Sequence, residues 1–286
     1  MPAPRPRTLL VLGRVSNLPT VWTNCLAAWL LAGGGDPKRL ALLLPGVSCL
    51  YVGGMFLNDA CDADFDRRHR RERPIPSGHI TLRAVWTWAG ALLLTGLASI
   101  SFLGIKPIGV ALALTATIVA YDLWHKKHPL TLGLMAGCRF LLYALAAVAA
   151  VGEVSPRVLA AAAGVAGYIL GISLLARNES GPARPPRWPL LLLLAPVIPV
   201  AAQLIASPTA AAAPGCIMFG LWLTATLVPL WQPNASPGRA VGRLLAGLVL
   251  VDFLQVTPLA PAWPVAVGAF GLFVLTLLLQ RRVPAT

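Results

Sequence analysis

The chain has 286 residues, of which 57% are hydrophobic and only 12% charged, and its mean hydropathy is +0.74. That composition excludes a soluble globular domain, because apolar stretches of roughly 17–21 residues recur, each long enough to cross ~30 Å of hydrocarbon. The formal net charge of +13 would suit nucleic acid if it formed one patch, but it is divided among the connections between apolar runs, which excludes a nucleic-acid partner.

The first eighteen residues hold Arg5, Arg7 and Arg14 among several prolines. Such a start can mimic a secretory signal, but no small-residue cleavage site precedes a soluble body, so the first apolar run is expected to be a retained helix. The expected spans are 18–34, 40–58, 84–103, 107–124, 131–151, 157–176, 189–206, 211–231, 240–258 and 263–280. Pro196, Pro199, Pro214, Pro229, Pro258 and Pro264 blur the ends of the last four. Membrane helices tolerate proline where neighbours satisfy the freed carbonyl. The fold class is therefore all-α: a polytopic integral membrane protein of nine or ten helices around a central cavity, with 1–286 as one membrane domain.

Asn24 lies deep in the first span and needs a hydrogen-bond partner, so it is expected to face the cavity. After the second span comes NDACDADFDRRHRRERPIPSG, residues 58–78, which contains five of the ten acids in the protein. On a helix Asp59, Asp62 and Asp66 fall on one stripe and Asp64 off it. Cys61 should face away from that stripe. Three carboxylates in a row repel one another unless a cation sits among them. Mg²⁺ takes oxygen ligands, commonly one or two carboxylates together with substrate phosphates. Acids at the end of a membrane helix are costly and usually functional. These residues point to a metal–diphosphate site at a membrane edge.

Further along, Asp122 is expected to pair with Lys126. Arg139 stands in an apolar run, where a charge is expensive, so it should face the cavity or pair with an acid. Asp252, in a late span, is expected to pair with Arg243 or with another helix. Cys25, Cys49, Cys138 and Cys216 are small packing residues in apolar runs, and no zinc spacing occurs. Basic residues follow the second, fourth, sixth, eighth and last spans, so the amino terminus and these loops are expected in the cytoplasm. The cell inner membrane is the expected location, with the charge also attracting anionic membrane lipid.

Asn58-Asp59-x-x-Asp62-x-x-x-Asp66 resembles the NDxxDxxxD motif of UbiA-type intramembrane prenyltransferases, and Arg73-Pro-Ile-Pro-Ser-Gly78 resembles the segment that follows it. The resemblance covers about residues 8–180, including Arg14-Val-Ser-Asn-Leu-Pro19 at the first helix, and 181–286 only as generic membrane helices. The chain looks most like a divergent bacterial branch that includes the UbiA-like proteins of ebo-type metabolite clusters.

The resemblance implies transfer of an isoprenyl group from an isoprenyl diphosphate to a small lipophilic, often aromatic, acceptor, with Mg²⁺ as cofactor. It implies metal ligation by Asp59, Asp62, Asp66 and Glu179. Asp59, Asp62 and Lys126 would be catalytic, and Asn58, Arg73, Tyr121 and Lys127 substrate-binding. Their own chemistry adds Arg177 as catalytic and Asn24, Arg139 and Asn178 as substrate-binding, Asn24 and Arg139 because polar groups inside a span are expected to face the cavity. The chain departs from the pattern at Arg177-Asn178-Glu179, where one acid stands in place of a second aspartate-rich motif. Arginine can clamp phosphate without a metal, so Arg177 is expected to contact the diphosphate. The same departure motivates an alternative, a non-catalytic protein that binds or moves a lipid-like precursor.

Overall fold

The computed structural model describes residues 6–124, 131–177, 188–232 and 236–284, apart from the side chain of Trp231. Its elements are α1 (Pro6–Leu12), α2 (Leu18–Leu31), α3 (Pro37–Cys61), α4 (Ala63–His69), α5 (Leu82–Ser101), α6 (Ile105–Trp124), α7 (Leu132–Val151), α8 (Pro156–Arg177), α9 (Pro189–Leu192), α10 (Val197–Ala206), α11 (Ala213–Leu227), α12 (Pro237–Ala246), α13 (Leu248–Val256) and α14 (Trp263–Gln280). No strand occurs among the described residues.

All ten expected spans are helical. Eight helical stretches among the described residues are long and apolar enough to cross a membrane. The other two expected spans are shorter: α2 has 14 residues, and the seventh is split into α9 and α10 around Ala195-Pro196. Pro229 and Pro258 fall in short 3₁₀ turns after α11 and α13, because proline lacks the N–H that would continue an α-helix.

Ordinary capping sets several helix starts. Asp36 accepts from the Lys38 N–H (3.0 Å) ahead of Pro37, and the Thr81 hydroxyl accepts from the Ala84 N–H (3.2 Å). Each satisfies an orphan donor of the first turn.

Direction alternates along the bundle, and one set of contacts fixes it. Arg39, at the start of α3, donates to the carbonyls of Ala149 (2.7 Å) near the end of α7 and of Leu103 (2.8 Å) just past α5. Lys106, at the start of α6, donates to the Gly152 carbonyl (3.1 Å) beyond α7. The starts of α3 and α6 therefore share one membrane edge with the ends of α5 and α7. The ends of α3 and α6 share the opposite edge.

The α3–α5 crossing is tight because glycines form it. A Cβ on Gly96 would lie 2.8 Å from the Gly46 carbonyl oxygen, and one on Gly46 would lie 2.8 Å from Ile100. Small residues let membrane helices approach to backbone contact.

The core lies among α2, α7, α8 and α13. Every residue of α13 is buried. By contrast α5, α6 and α14 turn large apolar side chains outward, including Leu94, Leu112 and Phe270. That is the arrangement expected where the outside is hydrocarbon. A small apolar hollow lined by Leu175, Leu230, Pro237, Ala240, Val241 and Leu244 opens beside the end of α8.

Candidate functional site

The acidic motif straddles a break between two helices yet stays in register. Asp62 closes α3 with φ −85° and ψ −3°. Its N–H donates to the Asn58 carbonyl and the Asp66 N–H donates to the Asp62 carbonyl, both at 2.9 Å. The i to i−4 ladder thus runs on from α3 into α4, and it holds the three aspartates on one stripe. Asp59 and Asp66 are buried and Asp62 partly so. Asp64 points out to solvent and pairs with Arg67. Cys61 packs on the apolar cluster of Leu12, Phe56 and Val85, away from the acids.

Two arginines from outside α3 reach the motif. Arg14 donates to Asn58 Oδ1 (3.1 Å) and Asp59 Oδ1 (3.3 Å), and Arg73 donates to the same Asp59 oxygen (3.2 Å). Arg73 is brought back over the end of α3 by a closed turn. The Ser77 N–H and hydroxyl both donate to the Arg73 carbonyl (3.0 and 2.7 Å), and Gly78 adopts φ +76°, which favours glycine. Arg14 itself has φ +41° and ψ +46°. A non-glycine residue in that region costs about 1–2 kcal/mol, and such strain concentrates at ligand clamps. The Tyr51 hydroxyl donates to its carbonyl (3.3 Å).

The far side of the motif is closed by α6. Asn58 Nδ2 donates to Asp122 Oδ1 at 2.9 Å. Asp122 is buried; Lys126, the partner expected from sequence, lies outside the described residues. Tyr121, half-buried, sits beside it in the last turn of α6. Arg177 ends α8 and is exposed. Since α8 runs antiparallel along α7, that end faces the same edge as the motif. Lys126, Lys127, Asn178 and Glu179 lie outside the described residues.

Mg²⁺ fits the chemistry of this donor set. Asp66 Oδ1 is buried and makes no hydrogen bond to a described residue, an expensive state for a carboxylate unless a cation completes it. Among the described residues no three metal-ligating side chains close around one point. A metal held here would complete its shell with substrate oxygens, as Mg²⁺ usually does.

A second polar centre lies deeper. Arg139 on α7 donates to Asn24 Oδ1 (2.6 Å), the Thr20 carbonyl (3.2 Å) and the Thr20 hydroxyl (3.0 Å). Asn24 Nδ2 donates to both oxygens of Asp252 on α13, each at 2.7 Å. Thr23 and Tyr143 hydroxyls donate to the same carboxylate. Asp252 therefore pairs with other helices, α2 and α7, and not with Arg243, which instead lies over the Trp222 ring. Arg139 meets an acid only through Asn24. The roles of Arg14 and Tyr143 are hard to read from sequence. The sequence marks Arg14 only as the start of the first-helix segment, without its partners in the acidic motif, and Tyr143 looks like ordinary helix filler.

A family profile described as the UbiA prenyltransferase family matches residues 18–286. A digeranylgeranylglyceryl phosphate synthase of Methanoregula boonei is 32% identical over 123 residues, 43% of this chain and 44% of that one. A 4-hydroxybenzoate octaprenyltransferase of Burkholderia pseudomallei is 33% identical over 97 residues, 33% and 32% of the two chains. The matched stretch thus spans less than half the length of these relatives. The solved structure of a UbiA homologue from Aeropyrum pernix superposes with a TM-score of 0.64 at 21% identity, covering 91% of this chain and 98% of that one. A UbiA homologue from Archaeoglobus fulgidus, bound to DMAPP and Mg²⁺, superposes with a TM-score of 0.52 at 16% identity, covering 96% and 99%. The fold is shared with these solved homologues, and the profile match along nearly the whole chain places this protein in the UbiA prenyltransferase family.

Proposed function

We infer that the protein is an integral-membrane prenyltransferase that moves an isoprenyl group from an isoprenyl diphosphate to a small lipophilic acceptor. The observation that carries this reading is the convergence of Asn58, Asp59, Asp62 and Asp66 with Arg14 and Arg73 at one membrane edge, above an apolar interior. Mg²⁺, when bound by Asp59, Asp62 and Asp66, supplies fixed positive charge for the diphosphate. A relative named as a 4-hydroxybenzoate octaprenyltransferase, and one homologue solved with DMAPP and Mg²⁺, support the same chemistry.

Each residue has a physical task. Asn58 is held by Arg14 and Asp122, so its amide is oriented before a ligand arrives. Arg14 and Arg73 face the oxygens of the diphosphate, and Arg177, Lys126 and Lys127 add charge from the neighbouring helix ends. Asn178 and Glu179 hold a single further ligand position, and Tyr121 lines the passage beside Asp122. The allylic C–O bond breaks, diphosphate leaves with the electron pair, and donors already in place stabilise that charge. The acceptor attacks the allylic cation and loses a proton. Asn24 and Arg139 lie below, on the acceptor side.

The site loops face the cytoplasm of the inner membrane, a reading supported by the basic residues around 67–73, 126–127 and 184–187. A single cysteine placed by Ser77→Cys in a cysteine-free background should resist an impermeant thiol reagent in intact cells and react in inverted vesicles. Labelling in intact cells overturns the orientation. A radiolabelled isoprenyl diphosphate supplied with and without acceptor tests the activity. A conjugate supports transfer, free prenol indicates a phosphatase, and bound but unchanged diphosphate indicates the non-catalytic alternative.

A further inference from the structure

The deep centre takes no part in holding the diphosphate, yet it sits directly beneath that site. Arg139 is seven residues into α7, about 10 Å from the helix start. Tyr51, eight residues before Asp59 on α3, lies about 12 Å below it and donates to the Arg14 carbonyl. The two arginines therefore mark two levels, Arg14 at the acidic motif and Arg139 deeper along α7.

The amide of Asn24 can point only one way. Reversing it would set its oxygen against the Asp252 carboxylate and its NH₂ against a guanidinium. As placed, Asn24 relays the charge of Asp252 to Arg139 and fixes the plane of the guanidinium. Asp252 is saturated by Thr23, Asn24 and Tyr143 and is fully enclosed. Arg139 is only half-buried. It spends three of its N–H donors on Thr20 and Asn24. A guanidinium has five, so two remain, and neither bonds to a described residue. An oriented guanidinium with two spare donors matches a carboxylate or phosphate bidentately. A buried acid one amide away stabilises the cation while that position is empty.

We propose that Arg139 binds an anionic group of the acceptor, a carboxylate or a phosphate, and that Asn24, Tyr143 and Asp252 are its positioning residues. The proposal rests on the prenyl-transfer reading above. It gives the acceptor two fixed points: an oxyanion at Arg139 and a nucleophile that must come within about 3–3.5 Å of the allylic carbon.

Purified protein in detergent, saturated with Mg²⁺ and the unreactive donor analogue geranyl S-thiolodiphosphate, is titrated calorimetrically with two matched pairs. One is 4-hydroxybenzoate against its methyl ester. The other is geranylgeranylglyceryl phosphate against the corresponding alcohol. The anionic member of at least one pair should bind about tenfold or more tightly, and which pair responds separates carboxylate from phosphate. Arg139→Gln should abolish that preference and leave analogue binding unchanged. Arg139→Lys should restore part of it, and Asp252→Asn should reduce it without affecting the neutral ligand. Analogue binding reports folding. Where Arg139→Gln does not fold, Arg139→Lys carries the test, through selective weakening of the anion. No anion preference in a wild type that binds the analogue overturns this proposal alone, as does a preference that survives Arg139→Gln. A wild type that does not bind the analogue overturns the donor site and this proposal with it.

Discussion

The two polar centres use the same residue types under opposite conditions. At the edge, Asp59 carries both arginines on one oxygen while Asp66 Oδ1 is buried with no described partner. In the interior, every oxygen of Asp252 is engaged, by Thr23, Asn24 and Tyr143. The difference separates a carboxylate set that must exchange partners from one that must never lose them. Removing one member of a desolvated, hydrogen-bonded charge network strands the others. A site that receives a ligand has to leave some of its bonding capacity unspent.

The comparison breaks most sharply if an edge acid proves dispensable. Asp62→Asn should lower prenyl transfer by about 1000-fold or more, equivalent to roughly 4 kcal/mol of transition-state stabilisation, with little change in melting temperature. Near-wild-type turnover at saturating Mg²⁺ removes Asp62 from the metal set. The inner centre should respond the other way. Asp252→Ala should cost about 3 kcal/mol of stability, read as an earlier melt in detergent. A variant that melts like the wild type shows that the network is not structural.

Arg177 sharpens the edge of the comparison, since it is exposed at the end of α8. Arg177→Gln should lower transfer about 30-fold, near 2 kcal/mol, and Arg177→Lys should recover only part, because a lysine cannot form a planar two-point contact. Two silent variants reduce Arg177 to a topology signal. The smallest effect is expected at Asp64, whose partner Arg67 is also exposed. Asp64→Asn should change stability by no more than about 0.5 kcal/mol and leave transfer untouched, and a larger loss would place Asp64 in the site.

Much of the fold was legible because membrane spans declare themselves by length and apolarity, and each of the ten expected spans is helical within a few residues of its expected ends. Hydropathy could not tell inner from outer helices. The stretch Pro237–Leu259 and α14 have similar mean hydropathies, 1.6 and 1.8, yet 83% of the first window is buried and 11% of the second. Lipid is as apolar as a protein interior, so no contrast is written into the side chains. The edge site was legible because its acids are neighbours in sequence at helical spacing. The inner centre was not: Asn24, Tyr143 and Asp252 lie more than a hundred residues apart, and only packing brings them together. Asp122 illustrates the same limit, since its contact with Asn58 joins residues 64 apart in sequence.

The glycine crossing between α3 and α5 bears on how a substrate enters. Where a single added methyl carbon would collide with a backbone carbonyl at 2.8 Å, no acyl or prenyl chain can slide between the two helices. The seam is closed to the bilayer where Gly46 meets Gly96. A hydrophobic tail arriving sideways from the lipid must therefore enter away from that crossing.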